Sequence, residues 1–170
     1  NEDKYPSTNI QMDIFKEQIE LIKKFEYNFY DPKNLEKNFY TAKIEKKILI
    51  TIDDAFSSFY EIAWPYLKKK KIPFILFVST AYVGKKGYMT WDQIKELDKE
   101  STAHIGNHSH THNYLVDQKN EDFIIDIATS SSIFKEKIGY NPIFFSYPFG
   151  EYSTLIKEYI SKNFKFSFGQ

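Results

Sequence analysis

The chain has 170 residues, a length suited to one domain with a single hydrophobic core. Its formal net charge is zero at pH 7 and no apolar run is long enough to span a membrane, so we expect neither a nucleic-acid partner nor a transmembrane segment. All 23 basic residues are lysine and there is no cysteine, which excludes bidentate arginine contacts, disulfides and thiolate chemistry.

In chain order, short apolar strands alternate with amphipathic helices. Strands are predicted at residues 27–30, 47–53, 73–79, 102–106, 143–147 and 164–168. Helices are predicted at residues 13–26, 31–39, 57–70, 90–97, 121–138 and 153–161. This alternation is typical of an α/β fold, a mainly parallel sheet or barrel with helices outside.

Local signals refine several of these elements. Asp13 is expected to cap the first helix, and Thr90 begins the fourth. Pro65 predicts a kink or a restart inside the helix at residues 57–70. In the long helix, the buried face is expected to carry four apolar residues: Ile124, Ile127, Phe134 and Ile138.

The most informative stretch follows the strand at residues 102–106. His108 and His112 are four positions apart, close enough in one turn or tight loop to bind a single cation. Ser109 could orient the imidazoles or cap the turn. His110 is expected to point away from the metal, and His104, inside the strand, to be packed and hydrogen-bonded.

A third ligand is expected from Asp53-Asp54, which ends the apolar strand at residues 47–53. Adjacent carboxylates point in different directions, so one can bind a metal while the other acts as a base. The alternative is that one of them caps the helix that follows. Because both motifs end strands of a parallel fold, we expect them at the same edge of the sheet.

Residues 146–150, Ser-Tyr-Pro-Phe-Gly, form a corner after the fifth strand. They could aim a backbone N–H at a developing oxyanion, but the spacing alone favours an ordinary Pro-Gly turn. Trp64 and Trp91 are expected in the core, whereas Tyr88 and Tyr114 lie in loops near the predicted site.

Together these segments resemble the polysaccharide deacetylase family (carbohydrate esterase family 4, the NodB-homology domain). Thr51-Ile52-Asp53-Asp54-Ala55 is similar to its Thr-Phe-Asp-Asp-Gly motif, and residues 108–112 are similar to its His-Ser/Thr-x-x-His motif. Residues 145–150 resemble the third motif in the Tyr-Pro-Phe/Tyr-Gly form of the poly-N-acetylglucosamine deacetylase branch. Residues 5–10, 60–69 and 90–93 also resemble that branch.

The resemblance implies an irregular (β/α) barrel with fewer than eight strands, and a hydrolase for the N-acetyl groups of a bacterial surface polysaccharide. Asp54, His108 and His112 would bind a divalent metal, usually zinc, and Asp53 would be the general base. The Phe149 backbone N–H would bind the oxyanion. The other residues expected around the substrate and the metal are Ser109, Ser146, Tyr147 and Pro148. A polysaccharide partner and an exported protein are further expectations.

Three departures from the family pattern are visible. Ala55 stands where the family usually has glycine, and Ser146 replaces the arginine of the common third motif, so lysine, hydroxyls or water must orient Asp53. The late Asp-x-x-Asp-Trp and Leu-x-His motifs are absent, which predicts a domain over residues 1–170 that is truncated at its C-terminal end. One alternative is a degenerate domain that binds glycan or metal without turnover, and another is an amidase for a small molecule.

Overall fold

The computed structural model describes residues 10–38 and 46–169 as an α/β arrangement. The helices are α1 (Met12–Lys24), α2 (Leu35–Asn38), α3 (Trp64–Lys70), α4 (Trp91–Asp98), α5 (Asn120–Ile138) and α6 (Thr154–Asn163). The strands are β1 (Asn28–Phe29), β2 (Lys47–Ile48), β3 (Ile50–Ile52), β4 (Phe74–Val78), β5 (Ala103–Asn107), β6 (Phe144–Ser146) and β7 (Phe166–Phe168). Within the described ranges, no helix combines the length and the hydropathy that a membrane crossing needs.

The larger sheet is parallel, and its strand order, β3-β4-β5-β6-β7, follows the chain. A separate parallel pair is formed by β1 and β2. Helices connect the successive strands of the larger sheet, as parallel pairing requires. The predicted α/β class is therefore confirmed, and the carboxyl ends of β3 to β7 lie along one edge.

The strand predicted at residues 47–53 is in fact two strands. Its first part pairs with β1, its second part pairs with β4, and Leu49 separates them. It is also less buried than predicted, because β3 is an edge strand and Thr51 is exposed. A continuous apolar run indicates contact on two faces but does not reveal whether the strand has two neighbours.

Among the predicted helix starts, those at Thr90 and Pro65 are confirmed and the one at Asp13 is wrong. Thr90 caps α4 in a capping box with Gln93, and a π-helical turn, Phe59–Ala63, precedes the restart at Pro65. Asp13, by contrast, lies inside the first turn of α1, which begins at Met12. The brief helix predicted at residues 31–39 is a 3-10 turn followed by α2, and its predicted last residue lies outside the described ranges, as do residues 5–9.

The buried face of α5 differs from the predicted one. Ile124 is 37% exposed, so its predicted place on that face is wrong. The buried positions of the helix are Phe123, Asp126, Ile127, Ser130 and Phe134. The two polar residues among them interrupt the apolar pattern: Ser130 bonds to Asn107 at the end of β5, and Asp126 bonds to the loop that follows β5.

Alternation along the strands decides which side chains reach the interior of the curved sheet. On β4, Phe74, Leu76 and Val78 pack with α3 and α4, whereas Ile75 and Phe77 pack on the opposite, inner face. On β5 this inner face carries Gly106, where a Cβ would lie 2.3 Å from the Phe77 ring. The interior at this level is therefore filled by an aromatic side chain, and the space for chemistry lies at the carboxyl edge.

Candidate metal and catalytic site

Three predicted ligands meet at the carboxyl edge of the sheet. One ligand atom from each of Asp54, His108 and His112 lies within 4.8 Å of the others. The distance from Asp54 Oδ1 is 3.9 Å to His108 Nε2 and 3.4 Å to His112 Nε2. The His108 side chain is 2% exposed, whereas those of His112 and Asp54 are 21% and 28% exposed, so the cluster is open on one side.

His108 presents the nitrogen that a metal requires. Its Nδ1 lies 2.8 Å from the carbonyl oxygen of Ser146, which can only accept, so Nδ1 carries the proton. Burial lowers the pKa of His108 to about 4, assisted by His112 and opposed by Asp54 and by the bond to Ser146. The ring is therefore neutral at pH 7, and its unprotonated Nε2 lies 3.9 Å from Asp54 Oδ1.

Two facing acceptors repel each other unless a cation lies between them. The donor set of one carboxylate oxygen and two imidazole nitrogens is typical of zinc and similar divalent ions. The residues present therefore fit a divalent metal.

Asp54 reaches this cluster through a strained turn. Along β3, Ile52 packs outward with the helices, so alternation would direct Asp53 inward and Asp54 outward again. Asp54 and Ala55 have φ angles of 70° and 54°, and this change of direction brings Asp54 to the histidines. The Ala55 side chain is buried, at the position where the family usually has glycine. Left-handed φ angles in non-glycine residues cost free energy and often occur at functional sites.

The loop between the histidines is strained and anchored in the same way. Ser109 and His112 have positive φ angles of 67° and 56°. Phe149, in the loop after β6, has a φ angle of 59°. The Ser109 hydroxyl accepts from the His112 backbone N–H at 3.1 Å, so Ser109 caps the turn. Its own N–H donates to the buried Asn107 side chain at 2.8 Å. Of the two roles considered for Ser109, the structure shows the capping contact.

Asp126 is a positioning residue that the sequence analysis missed. Its carboxylate is 7% exposed and accepts hydrogen bonds from the backbone N–H groups of His110 at 2.6 Å and Thr111 at 3.0 Å, and from the Thr111 hydroxyl. It thus connects α5 to the residues between the two candidate ligand histidines. The signal available in the sequence was the position of Asp126, three residues after Phe123 and four before Ser130. On this face of an amphipathic helix, an apolar residue would be expected.

Asp53 lies next to the cluster and bonds to Ser146. Although the side chain retains an exposed surface, the surrounding protein desolvates the carboxylate and raises its pKa, while the Ser146 hydroxyl bond and His112 act in the opposite direction. Ser146 therefore contacts Asp53 through its hydroxyl and His108 through its carbonyl. Of the alternatives considered for orienting Asp53 without arginine, the structure shows a hydroxyl.

The remaining residues of the third motif divide between the site and the core. The Phe149 ring is 50% exposed and packs edge-on against His112, with ring centroids 4.8 Å apart. Tyr147 is buried with Phe145, and its hydroxyl lies 3.3 Å from Ser167 Oγ. Pro148 is also buried. The substrate roles of Tyr147 and Pro148 and the oxyanion role of Phe149 stay predictions.

The other two histidines have partners outside the cluster. His104 Nε2 lies 3.1 Å from Asp31 Oδ1, so its predicted hydrogen-bonded role is confirmed. His110 Nδ1 lies 2.8 Å from Thr80 Oγ1, which agrees with the prediction that it does not bind the metal. Trp64 is buried and Trp91 packs edge-on against Phe134, as expected for core residues.

Comparison with known proteins places this arrangement among deacetylases. YxkH of Bacillus subtilis (strain 168) is 30% identical over 112 residues, covering 64% of this chain and 39% of the relative. The poly-beta-1,6-N-acetyl-D-glucosamine N-deacetylase of Staphylococcus aureus (strain MSSA476) is 27% identical over 132 residues, covering 75% and 46%. The chain thus spans less than half the length of these two relatives.

The solved structure of IcaB from Ammonifex degensii has the same fold, with a TM-score of 0.84 and 27% identity over 91% of this chain and 73% of that one. This confirms the predicted irregular (β/α) barrel class. The family model described as polysaccharide deacetylase matches residues 41–166, a range that includes all three motifs. The chain therefore belongs to the polysaccharide deacetylase family.

Proposed function

We propose that the protein is a metal-dependent hydrolase that removes N-acetyl groups from a bacterial surface polysaccharide containing N-acetylglucosamine. The observation that carries the proposal is the approach of Asp54, His108 and His112 to within 4.8 Å, beside the carboxylate of Asp53, in a member of the polysaccharide deacetylase family. The named activity of the Staphylococcus aureus relative makes poly-beta-1,6-N-acetyl-D-glucosamine the first substrate to test.

Asp54, His108 and His112 would hold the ion, and their donor set makes Zn²⁺ the proposed metal. A divalent ion bound there would supply Lewis-acid polarisation of the amide carbonyl and of the attacking water. The protein holds His108 in the required tautomer through the Ser146 carbonyl, and it holds the His112 turn through the Ser109 hydroxyl.

Asp53 would accept a proton from water as the water oxygen bonds to the acetyl carbon. Desolvation raises the pKa of this carboxyl, which brings its basicity closer to neutral pH, and the Ser146 hydroxyl holds the carboxylate in place. The backbone N–H of Phe149 would stabilise the negative charge that develops on the carbonyl oxygen. The carbon–nitrogen bond then breaks, the nitrogen takes up a proton, and acetate and a sugar amine result.

The proton donor to the leaving nitrogen is not assigned to a histidine. Among the described residues, His104 and His110 already bond to Asp31 and Thr80 through a ring nitrogen. The proposed chemistry assigns the base, the ligands and the oxyanion donor.

The test is acetate release from poly-beta-1,6-N-acetyl-D-glucosamine oligosaccharides, with and without a chelator. Asp53→Asn should lower the rate by about 100-fold or more because the general base is lost, while zinc content stays at the wild-type level. Asp92→Asn, the same change at an aspartate whose side chain is 97% exposed, is the matched control.

Full activity in Asp53→Asn would remove the base assignment. Stoichiometric zinc without acetate release in the wild-type protein would favour the alternative of a domain that binds glycan or metal without turnover. Because the proposed substrate is at the bacterial surface, export is part of the proposal, and cell fractionation tests it.

A further inference from the structure

Asn107 is a buried polar residue at the end of β5 that the proposed chemistry does not use. Its side chain is 0% exposed. Ala103 and Ile105, on the same side of the strand, pack with the helices, so alternation directs Asn107 toward the helices as well. An apolar residue would be expected there, because burying an amide costs free energy unless its hydrogen bonds are satisfied. The partners of this amide therefore indicate what the residue does.

The amide oxygen of Asn107 closes a turn around His108. The Ser109 backbone N–H lies 2.8 Å from this oxygen, and because an N–H can only donate, the atom that faces it is Oδ1 and not Nδ2. A bond from an asparagine side chain to the N–H two residues later is an Asx turn, and the residue enclosed here is His108. The bond holds Ser109 at a φ of 67°, which a residue with a side chain rarely adopts.

Ser109 connects this turn to the second candidate ligand. With the backbone in this left-handed conformation, the Ser109 hydroxyl accepts from the His112 N–H at 3.1 Å. His112 is itself held at a φ of 56°. The position of His112 relative to His108 therefore depends on the conformation of Ser109, and that conformation depends on the bond to Asn107.

Ser130, on the buried face of α5, fixes the orientation of the Asn107 amide. Asn107 Nδ2 donates to Ser130 Oγ at 2.9 Å, and this hydroxyl lies 2.9 Å from the Ile127 carbonyl oxygen and 3.1 Å from Asn107 Oδ1. A reversed amide would place Nδ2 against the Ser109 N–H, so that two donors faced each other. The orientation that satisfies both partners is therefore the one that closes the turn.

The contacts of Asn107 differ from those of Asp126. Asp126 accepts from the backbone N–H groups of His110 and Thr111, whereas Asn107 accepts from the N–H of Ser109. The two side chains hold different backbone groups, so the loss of one is not compensated by the other.

We propose that Asn107 is the positioning residue that sets the separation of the two candidate histidine ligands, by holding Ser109 in the left-handed conformation, and that Ser130 keeps the amide in the required orientation. This inference rests on the metal-binding part of the proposed function and adds a determinant of metal affinity. Residues that orient metal ligands without touching the ion typically change the affinity by about 10- to 100-fold when they are replaced.

The test compares two replacements of nearly the same volume. Asn107→Leu removes the acceptor, whereas Asn107→Asp keeps oxygens that can accept from Ser109 and Ser130. In zinc titrations of chelator-treated protein, the affinity of Asn107→Leu should be lower by at least about tenfold, and that of Asn107→Asp should not fall. Ser130→Ala, which releases the amide but keeps its oxygen, should lower the affinity by about threefold.

A measurement without metal separates positioning from general stability. In the metal-free protein, the amide protons of Ser109 and His112 should exchange at least about tenfold faster in Asn107→Leu than in Asn107→Asp, because the turn no longer holds them. Ile160→Val, a replacement at a fully buried side chain of α6, is the control for stability. It should lower the free energy of unfolding and leave zinc affinity unchanged.

Wild-type zinc affinity in Asn107→Leu would overturn the proposal, and so would equally rapid exchange of the Ser109 amide in the leucine and aspartate variants. If Asn107→Leu does not fold, Ser130→Ala decides, since wild-type affinity in that variant would remove the role of the amide orientation.

Failure of the proposed function has a different signature. In that case the wild-type protein binds zinc and Asn107→Leu binds it more weakly, but no acetate is released. Zinc-dependent acetate release by the wild type, together with unchanged zinc affinity in Asn107→Leu, would leave the proposed function in place and remove the positioning role.

Discussion

His104, on the inner face of β5, and His108, just after that strand, each lie close to an aspartate, and the two histidine–aspartate pairs differ in their other contacts. At the start of the strand, His104 Nε2 is 3.1 Å from Asp31 Oδ1, and Lys33 Nζ is 2.6 Å from the other oxygen of the same carboxylate. This pair is closed, since a hydrogen bond and a lysine both compensate the negative charge. The His104–Asp31 hydrogen bond connects the segment before α2 to the sheet.

At the end of the strand, His108 Nε2 is 3.9 Å from Asp54 Oδ1, too far for a hydrogen bond. The proton of this imidazole lies on Nδ1, which is bound to Ser146, and among the described residues no lysine forms an ion pair with Asp54. The second pair is therefore open, and the His112 ring lies beside it, with Nε2 3.4 Å from Asp54 Oδ1. A neighbouring histidine and aspartate can therefore form either a structural hydrogen bond or part of a metal site. Which of the two they form depends on which ring nitrogen carries the proton and on whether another group neutralises the carboxylate.

The largest effect should come from removing a candidate metal ligand beside the open pair. His112→Ala should lower zinc affinity by at least about 100-fold, because one of three protein ligands is lost. Titration of chelator-treated protein with zinc measures this. His104→Ala, which breaks the closed pair, should bind zinc as the wild type does. A similar loss in both variants would contradict the distinction between the two pairs.

An intermediate effect is expected at Asp126, which holds the backbone between His108 and His112. In Asp126→Asn an amide NH₂ replaces one acceptor oxygen, so we expect the free energy of unfolding to fall by about 2 kcal/mol and zinc affinity by about tenfold. Denaturant unfolding and zinc titration provide the measurements.

Asp122→Asn, at an exposed position of the same helix, is the control for the change of charge. Reduced stability with unchanged zinc affinity would limit Asp126 to a role in folding, and no change in either quantity would remove the positioning role.

The smallest effect should be the pH dependence that the closed pair adds to stability. Burial lowers the pKa of His104, although Asp31 opposes this. Between that lowered value and the ordinary histidine pKa of about 6.5, the unfolded chain binds more protons than the folded one, so the free energy of unfolding should fall as the pH decreases through this window. In His104→Gln the fall between about pH 7.5 and about pH 5.5 should be smaller.

Denaturant unfolding at the two pH values measures this difference, and an equal fall in both proteins would contradict it. The contribution of Asp31 lies at lower pH. Burial raises the pKa of that carboxyl, but the hydrogen bonds from Lys33 and the charge of His104 outweigh it and hold the pKa below its ordinary value. This contribution is present above the ordinary aspartate pKa and is lost as the pH falls through the lowered one.

Much of the fold could be predicted because its signals are local. The apolar run that became β4 is buried at all five positions, and the Thr90 capping box begins α4 where expected. The break at Leu49 could not be predicted in the same way, because it depends on β1 and β4, two different partners for adjacent residues. The exposure of Ile124 could not be predicted for a related reason, since Ser130 and Asp126 of α5 are buried through contacts with the end of β5 and with the loop after it.

The sequence by itself determined the parallel α/β class, the identities of the candidate ligands and the family, because strand periodicity and motif spacing are properties of neighbouring residues. Only the tertiary structure decided how those residues are used. The left-handed turn at Asp54, the support from Asp126 and the partner of His104, 73 residues away, all arise from contacts between segments far apart in the chain. The spacing of residues in the sequence shows which side chains are available. Burial and the direction of each hydrogen bond decide which histidine has a structural role and which can bind a metal.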